Sequence, residues 1–148
     1  MEKVEVLQKS RLFENLLPDE LDMLSELSQM KDFKAGEVVF KEGEVGNTLY
    51  VIVSGEVEVL RKDQGGELKP IALIKEPEFF GEMSLIDKEL RSATIRARVD
   101  TKLLVLSNEN LHSFAKVFKN GFTMVAINIA RVLSIRLRET NVKLSAKL

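Results

Sequence analysis

The spacing of apolar residues changes along the chain, and each change marks a different kind of element. In the first 30 residues Val4 and Leu7, then Leu21, Leu24 and Leu27 with Met23 beside them, recur at the period of one helix face. Two short helices are predicted over 1–30. Pro18 suits a first helical turn, and Asp19, Glu20 and Asp22 bring negative charge to the positive end of the helix dipole. Leu17 stands where a capping Ser or Asp is expected, a weak start signal. From Phe33 to Ser107 the texture becomes short alternating stretches broken by Gly36, Gly43, Gly46, Gly55, Gly65, Gly66 and Gly81. Strands are predicted over 37–40, 49–53, 55–61, 68–74, 94–99 and 102–106. Val57 and Val59 alternate with Glu56 and Glu58, and Ile95, Ala97 and Val99 alternate with Thr94, Arg96 and Arg98, so each strand has one buried face. The polar, glycine-rich tract Lys62-Asp63-Gln64-Gly65-Gly66 has the residues of a hairpin turn. Many short strands with glycine turns point to a sandwich or barrel over 33–107 rather than to a βαβ sheet.

After Ser107, a good helix cap, the helical period returns. Leu111, Phe114, Ala115 and Phe118 share a face of a helix predicted over 108–119. Asn120-Gly121 is read as a break. A last helix over 122–145 contains no Gly or Pro and runs roughly 23 residues, about 35 Å. It is apolar on more than one side. Ala126, Ala130, Leu133, Leu137, Thr140 and Leu144 follow the alternating steps of four and three of a coiled-coil seam, while Val125, Ile129 and Val132 lie off it. One stripe can cover the β-rich core and the other can meet a second copy, which predicts a homodimer. The run is shorter than three heptads, so packing on the core alone also accounts for it.

Composition narrows the chemistry. The 148 residues fit one domain over 1–148, and the 45% hydrophobic and 30% charged content is that of an ordinary globular chain. The absence of cysteine excludes disulfides, thiolate metal sites and a Cys nucleophile, and the single histidine, His112, excludes a His-rich metal site. No signal peptide or membrane span is readable at the N-terminus, so a cytoplasmic protein is expected. The net charge of −1 hides a split, because Lys116 onward carries +6 and the remainder −7. Such a basic segment is either a solvated helix face whose cations complement the dipole or a surface for nucleic acid or anionic membrane. No nucleophile-and-base set is visible, so an enzyme is not expected.

The segment that carries chemistry is FFGEMSLIDKELRSAT, residues 79–94. Gly81 permits unusual backbone angles and close ligand approach. Residues 82–85 can form a helical turn whose free N–H groups face an anion. Arg91 can hold a phosphate through two parallel charge-assisted hydrogen bonds, Ser92 can add a hydroxyl, and Glu82 can accept from a sugar hydroxyl. A ligand with a phosphate and a ribose fits. A surface glycine, a solvated Glu82 and an Arg91 in an ordinary ion pair would be equally compatible with these residues alone.

Phe80-Gly81-Glu82-Met83-Ser84-Leu85 followed by Arg91-Ser92-Ala93-Thr94 closely resembles the phosphate-binding cassette of cyclic nucleotide-binding domains, the family of the bacterial catabolite activator protein and the regulatory subunits of cyclic-AMP-dependent protein kinase. The resemblance also covers Phe33-Lys34-Ala35-Gly36, Glu42-Gly43, Leu49-Tyr50-Val51-Ile52 and Ser54-Gly55. It implies a mainly β fold with flanking helices, an antiparallel, jelly-roll-like β-roll with short N-terminal helices and a long C-terminal helix. It implies that Glu82 binds the ribose 2′-hydroxyl and Arg91 the cyclic phosphate. The backbone at Gly81, Met83, Ser84 and Ala93, with the Ser92 hydroxyl, would complete the anion site. The stretch from Arg136 to Lys143 resembles the family's C-helix, which makes Thr140 and Asn141 base-contact candidates. Thr140 falls in the seam, where an apolar residue would pack better.

The spacer Asp87-Lys88-Glu89-Leu90 lacks the glycine or proline often found there, and Ser92 leaves cyclic AMP and cyclic GMP open with a lean to cyclic AMP. No helix-turn-helix follows the last helix, so a stand-alone sensor is expected, signalling through its C-helix to a separate effector and not reading DNA itself. The competing expectation is a dimerisation or interaction module of the same fold that binds another anion or no ligand.

Overall fold

The computed structural model describes residues 2–87 and 90–147. Helix α1 (Lys3–Lys9), a 3-10 turn at Arg11–Phe13 and helix α2 (Pro18–Leu27) precede strands β1 (Gln29–Phe33), β2 (Val38–Phe40), β3 (Thr48–Ser54), β4 (Glu56–Lys62), β5 (Leu68–Lys75) and β6 (Phe79–Phe80). A short helix α3 (Met83–Ile86) leads to β7 (Thr94–Ala97) and β8 (Thr101–Ser107), and the chain ends in α4 (Asn108–Val117) and α5 (Lys119–Lys147). The strands form two four-stranded antiparallel sheets, ordered β1-β8-β3-β6 and β2-β7-β4-β5. The fold is the mainly β architecture with flanking helices expected from the sequence.

Side-chain alternation explains the layers. On β3, Leu49, Val51 and Val53 enter the core shared with the helices, whereas Tyr50 and Ile52 face the other sheet. On β8, Leu104 and Leu106 face the helices and Leu103 and Val105 face the second sheet, and Phe79 and Phe80 divide in the same way. The first sheet is therefore covered on both faces, which is why its central strands read as unbroken apolar runs. The second sheet has a solvent face. There Glu58 stands opposite Arg96 in register, 3.0 Å away, and Glu56 pairs with Arg98. The hydrogen bond from Arg98 holds the Glu56 carboxyl below its ordinary pKa.

Three local signals resolve as physics. The tract 62–66 is a turn in which Asp63 Oδ1 accepts from the N–H groups of Gly65 and Glu67 at 2.9 and 3.0 Å. Ser107 caps α4 by accepting from Asn110 N–H at 3.1 Å. At α2 the missing cap is replaced from within the helix, because Glu20 Oε1 accepts from Leu17 N–H at 2.7 Å.

Two boundaries differ from expectation. Residues 29 and 30, read as the end of the N-terminal helices, are strand instead, and with 31 and 32, which lie in no predicted element, they form most of β1 and pair with β8. QMKDF is a polar edge strand, so its partner rather than its own alternation marks it. Asn120-Gly121 does not break the last helix. The break falls at Phe118 (φ −122°, ψ 76°), and α5 begins at Lys119. Gly121 serves close approach instead, since a Cβ there would lie 2.3 Å from Glu20 Oε2 and 3.0 Å from the Phe114 ring. Among the described residues no helix is long and apolar enough to cross a membrane.

Helix α5, 29 residues and roughly 44 Å long, uses its two stripes differently. Val125, Ile129 and Val132 are buried in the helical core, and Asn128 donates to the carbonyls of Leu12 and Glu14 at 3.0 and 2.9 Å. Of the seam residues, Ala126, Ala130, Leu137, Thr140 and Leu144 are exposed, and Leu133 is partly buried against the core.

Candidate functional site

The site grows from the end of β6. Pairing of Tyr50 with Phe80 and of Val51 with Phe79 anchors β6 to β3, and the chain then turns at Gly81 with φ +81°. A Cβ at Gly81 would sit 2.8 Å from the Thr48 carbonyl, so the turn requires glycine by contact as well as by conformation. Glu82 follows, buried at 7% exposure, and α3 begins at Met83. The Ser84 hydroxyl donates to the Gly81 carbonyl at 2.9 Å, and Asn108 Nδ2 donates to the Ser84 carbonyl at 2.8 Å. The start of α4 thereby pins the cassette helix.

The returning strand is fastened to the loop after β2. Arg91 N–H donates to the Glu44 carbonyl at 2.7 Å, and Gly43 N–H donates to the Arg91 carbonyl at 2.9 Å. The Arg91 side chain crosses this loop. Its guanidinium lies over the Phe40 ring, 4.0 Å from the centroid, and donates to the carbonyls of Thr48 at 2.8 Å and Gly81 at 3.4 Å. Gly46 makes room for it, because a Cβ there would stand 3.1 Å from the guanidinium carbon. Burial lowers the Arg91 pKa from its ordinary value, and Tyr50, Glu44 and Glu82 offset this in part. Among the described residues no carboxylate lies within ion-pair distance of Arg91. A cation held by a ring and by carbonyl oxygens favours an incoming anion.

These parts enclose a cavity of about 380 Å³, within the range of small-molecule sites. Gly81, Glu82, Met83, Ser84, Arg91, Ser92 and Ala93 all line it, so the seven cassette positions singled out in the sequence converge on one space. Phe40, Val59, Ile74, Leu90 and Ile95 add apolar wall. The arrangement suits a ligand that combines an anion, a hydroxyl and a flat apolar part.

The last helix contributes differently from expectation. Arg136 lines the cavity, with Nη1 3.4 Å from Glu82 Oε1 and its guanidinium 5.3 Å above the Phe79 ring. Thr140 and Asn141 are exposed and are not among the lining residues, and the Thr140 hydroxyl donates to the Arg136 carbonyl at 2.9 Å. The signal for Arg136 was present. Val125, Ile129 and Val132 step by four and three along the core-facing stripe, and the next step of four lands on Arg136, a cation where an apolar residue would continue. Phe40 and Asn108 carry no comparable mark, since each acts through a segment distant in sequence.

Residues 30–117 match the model of the cyclic nucleotide-binding domain. The chain belongs to the cyclic nucleotide-binding domain family. It is 37% identical over 135 residues to the cyclic AMP receptor protein of Thermus thermophilus, covering 91% of this chain and 61% of that protein. Over 103 residues it is 31% identical to a cAMP-dependent protein kinase regulatory subunit of Emericella nidulans, covering 70% of this chain and 24% of that one. A crystal structure of a cyclic nucleotide-binding domain from Methylobacillus flagellatus superposes with a TM-score of 0.84 at 28% identity, covering 99% of this chain and 83% of that one. The chain spans about three-fifths of the length of the bacterial relatives it matches. Family membership gives the cavity its context, because the matched span contains the whole cassette together with Phe40 and Asn108, whereas Arg136 lies beyond it.

Proposed function

We propose that the chain is a cyclic-nucleotide sensor whose ligand is cyclic AMP. The observation that carries this reading is the convergence of Arg91, without a carboxylate partner among the described residues, and buried Glu82 on one cavity of about 380 Å³. Arg91 receives the cyclic phosphate, with the backbone of Gly81, Met83, Ser84 and Ala93 and the Ser92 hydroxyl beside it. Glu82 accepts from the ribose 2′-hydroxyl. Val59, Ile74 and Leu90 border the space left for the purine.

The same geometry supports a route for the signal. Glu82 is already engaged by Arg136, so a ribose hydroxyl at Glu82 alters the hold of the roll on α5. A ligand shifts such an equilibrium by its differential affinity for the two arrangements. Thr140 lies one turn beyond Arg136, and with Asn141 it reaches the base when α5 repositions or when a second protomer presents its helix. The exposed seam through Ala126, Ala130, Leu133, Leu137, Thr140 and Leu144 is the surface for that second copy, and α5 passes the change to an effector protein.

Thermal unfolding with added nucleotide tests this reading. Millimolar cyclic AMP raises the melting temperature, and Arg91→Ala removes the rise, since losing a charge-assisted pair costs about 2–5 kcal/mol. The same rise in Arg91→Ala, or none in the wild type with cyclic AMP or cyclic GMP, overturns it. The competing reading is a dimerisation module that does not use a nucleotide. It is favoured by the apolar seam, which needs no ligand, and it requires a dimer in nucleotide-free solution with no thermal response to either nucleotide.

A further inference from the structure

The charges around Arg136 extend past the cavity. Arg136 Nη1 stands 3.4 Å from Glu82 Oε1, while Nη2 stands 3.5 Å from Glu78 Oε2, so one guanidinium is divided almost evenly between two carboxylates. The Phe79 ring, between the two glutamates in sequence, supports its plane. Glu78 is outside the cavity lining. Its carboxylate is also held by Arg11, whose Nη2 donates to both oxygens, at 2.9 and 3.0 Å. Arg11 belongs to the 3-10 turn whose Leu12 carbonyl, with that of Glu14 just beyond it, is held by Asn128 of α5. Glu78, on the roll, is thus gripped by cations from the N-terminal turn and from α5.

We propose that Glu78 is a positioning residue for nucleotide binding, setting how much of the Arg136 guanidinium is left to Glu82, with Arg11 tuning Glu78 from outside the cavity. This inference rests on the nucleotide reading above. At 3.4 Å the contact between Arg136 and Glu82 is longer than the 2.7–2.9 Å of a well-made charge-assisted bond, in keeping with a guanidinium drawn toward two carboxylates at once. Without the charge on Glu78 the guanidinium has one remaining carboxylate partner and closes on Glu82. It then competes at Oε1 with a ribose 2′-hydroxyl for the carboxylate. Removing Arg11 has the opposite sense, because the freed Glu78 draws Arg136 away from Glu82.

The test measures dissociation constants for cyclic AMP and 2′-deoxy-cyclic AMP in the wild type, Glu78→Gln, Arg11→Gln, Arg136→Gln and the Glu78→Gln/Arg136→Gln double variant. The ratio of the two constants isolates the hydroxyl that Glu82 accepts, and a change confined to folding or stability leaves it unmoved. Glu78→Gln lowers the preference for the 2′-hydroxyl by roughly threefold to tenfold, the weight of one charge-assisted bond partly lost. Arg11→Gln does not lower it, and in the Arg136→Gln background Glu78→Gln has no further effect on the ratio. A wild-type ratio in Glu78→Gln, or the same decrease with Arg136 removed, overturns the inference while leaving nucleotide binding intact. A wild type that fails to bind cyclic AMP overturns the nucleotide reading, and this one with it.

Discussion

Gly81 shows how tightly a single position is constrained. Its φ of +81° lies where side chains are strained, and a Cβ would meet the Thr48 carbonyl at 2.8 Å. That carbonyl also accepts from Arg91, so the turn and the guanidinium share one anchor. Gly81→Ala is expected to destabilise the fold by about 1–3 kcal/mol and to weaken nucleotide binding, as read by denaturant unfolding and titration. At this scale the site was largely legible, because Gly81, Glu82, Met83, Ser84, Arg91, Ser92 and Ala93 sit in one segment, residues 79–94, whose residue types announce their chemistry. Arg136, Phe40 and Asn108 were not legible from that segment. Each reaches the cavity or the cassette from another element, and only folding places Phe40 under Arg91 or Asn108 on the Ser84 carbonyl.

Among the elements, α5 separates two kinds of burial. Ile129 is 1% exposed within the helical core, whereas Leu137 is 62% exposed on the seam. Ile129→Ala is expected to lower unfolding stability by about 2–5 kcal/mol, the cost of a buried aliphatic deletion. Leu137→Ala is expected to change protomer stability by no more than about 0.5 kcal/mol, as for other exposed positions, and to weaken self-association in sedimentation. Equal losses of stability in the two variants would contradict the division of the helix into a core stripe and an exposed stripe. That division could be read from spacing, since a stripe at steps of four and three leaves the residues between its members on another face. The start of α5 could not, because Asn120-Gly121 has the composition of a stop signal. The glycine is there for room, because Glu20, 101 residues away in sequence, and the Phe114 ring approach too closely for a side chain at position 121. β1 escaped for a related reason, as its polar edge sequence becomes a strand through its pairing with β8.

For the molecule as a whole, the two cores meet across a sheet whose faces are both covered, one by the helices and the other by the second sheet. The charge split along the chain falls on that boundary. The excess of cations after Lys116 lies largely on α5, and one of them, Arg136, turns inward to the cassette carboxylate. Net charge near zero concealed this because the compensating acids belong to the roll and the N-terminal helices. We propose above all that the roll binds a cyclic nucleotide through Arg91 and Glu82. Isothermal titration of cyclic AMP into the wild-type protein tests it most directly. Saturable heat at one nucleotide per protomer, lost in Arg91→Ala and strongly reduced in Glu82→Gln, is the predicted result, and an isotherm in Arg91→Ala that matches the wild type would contradict it.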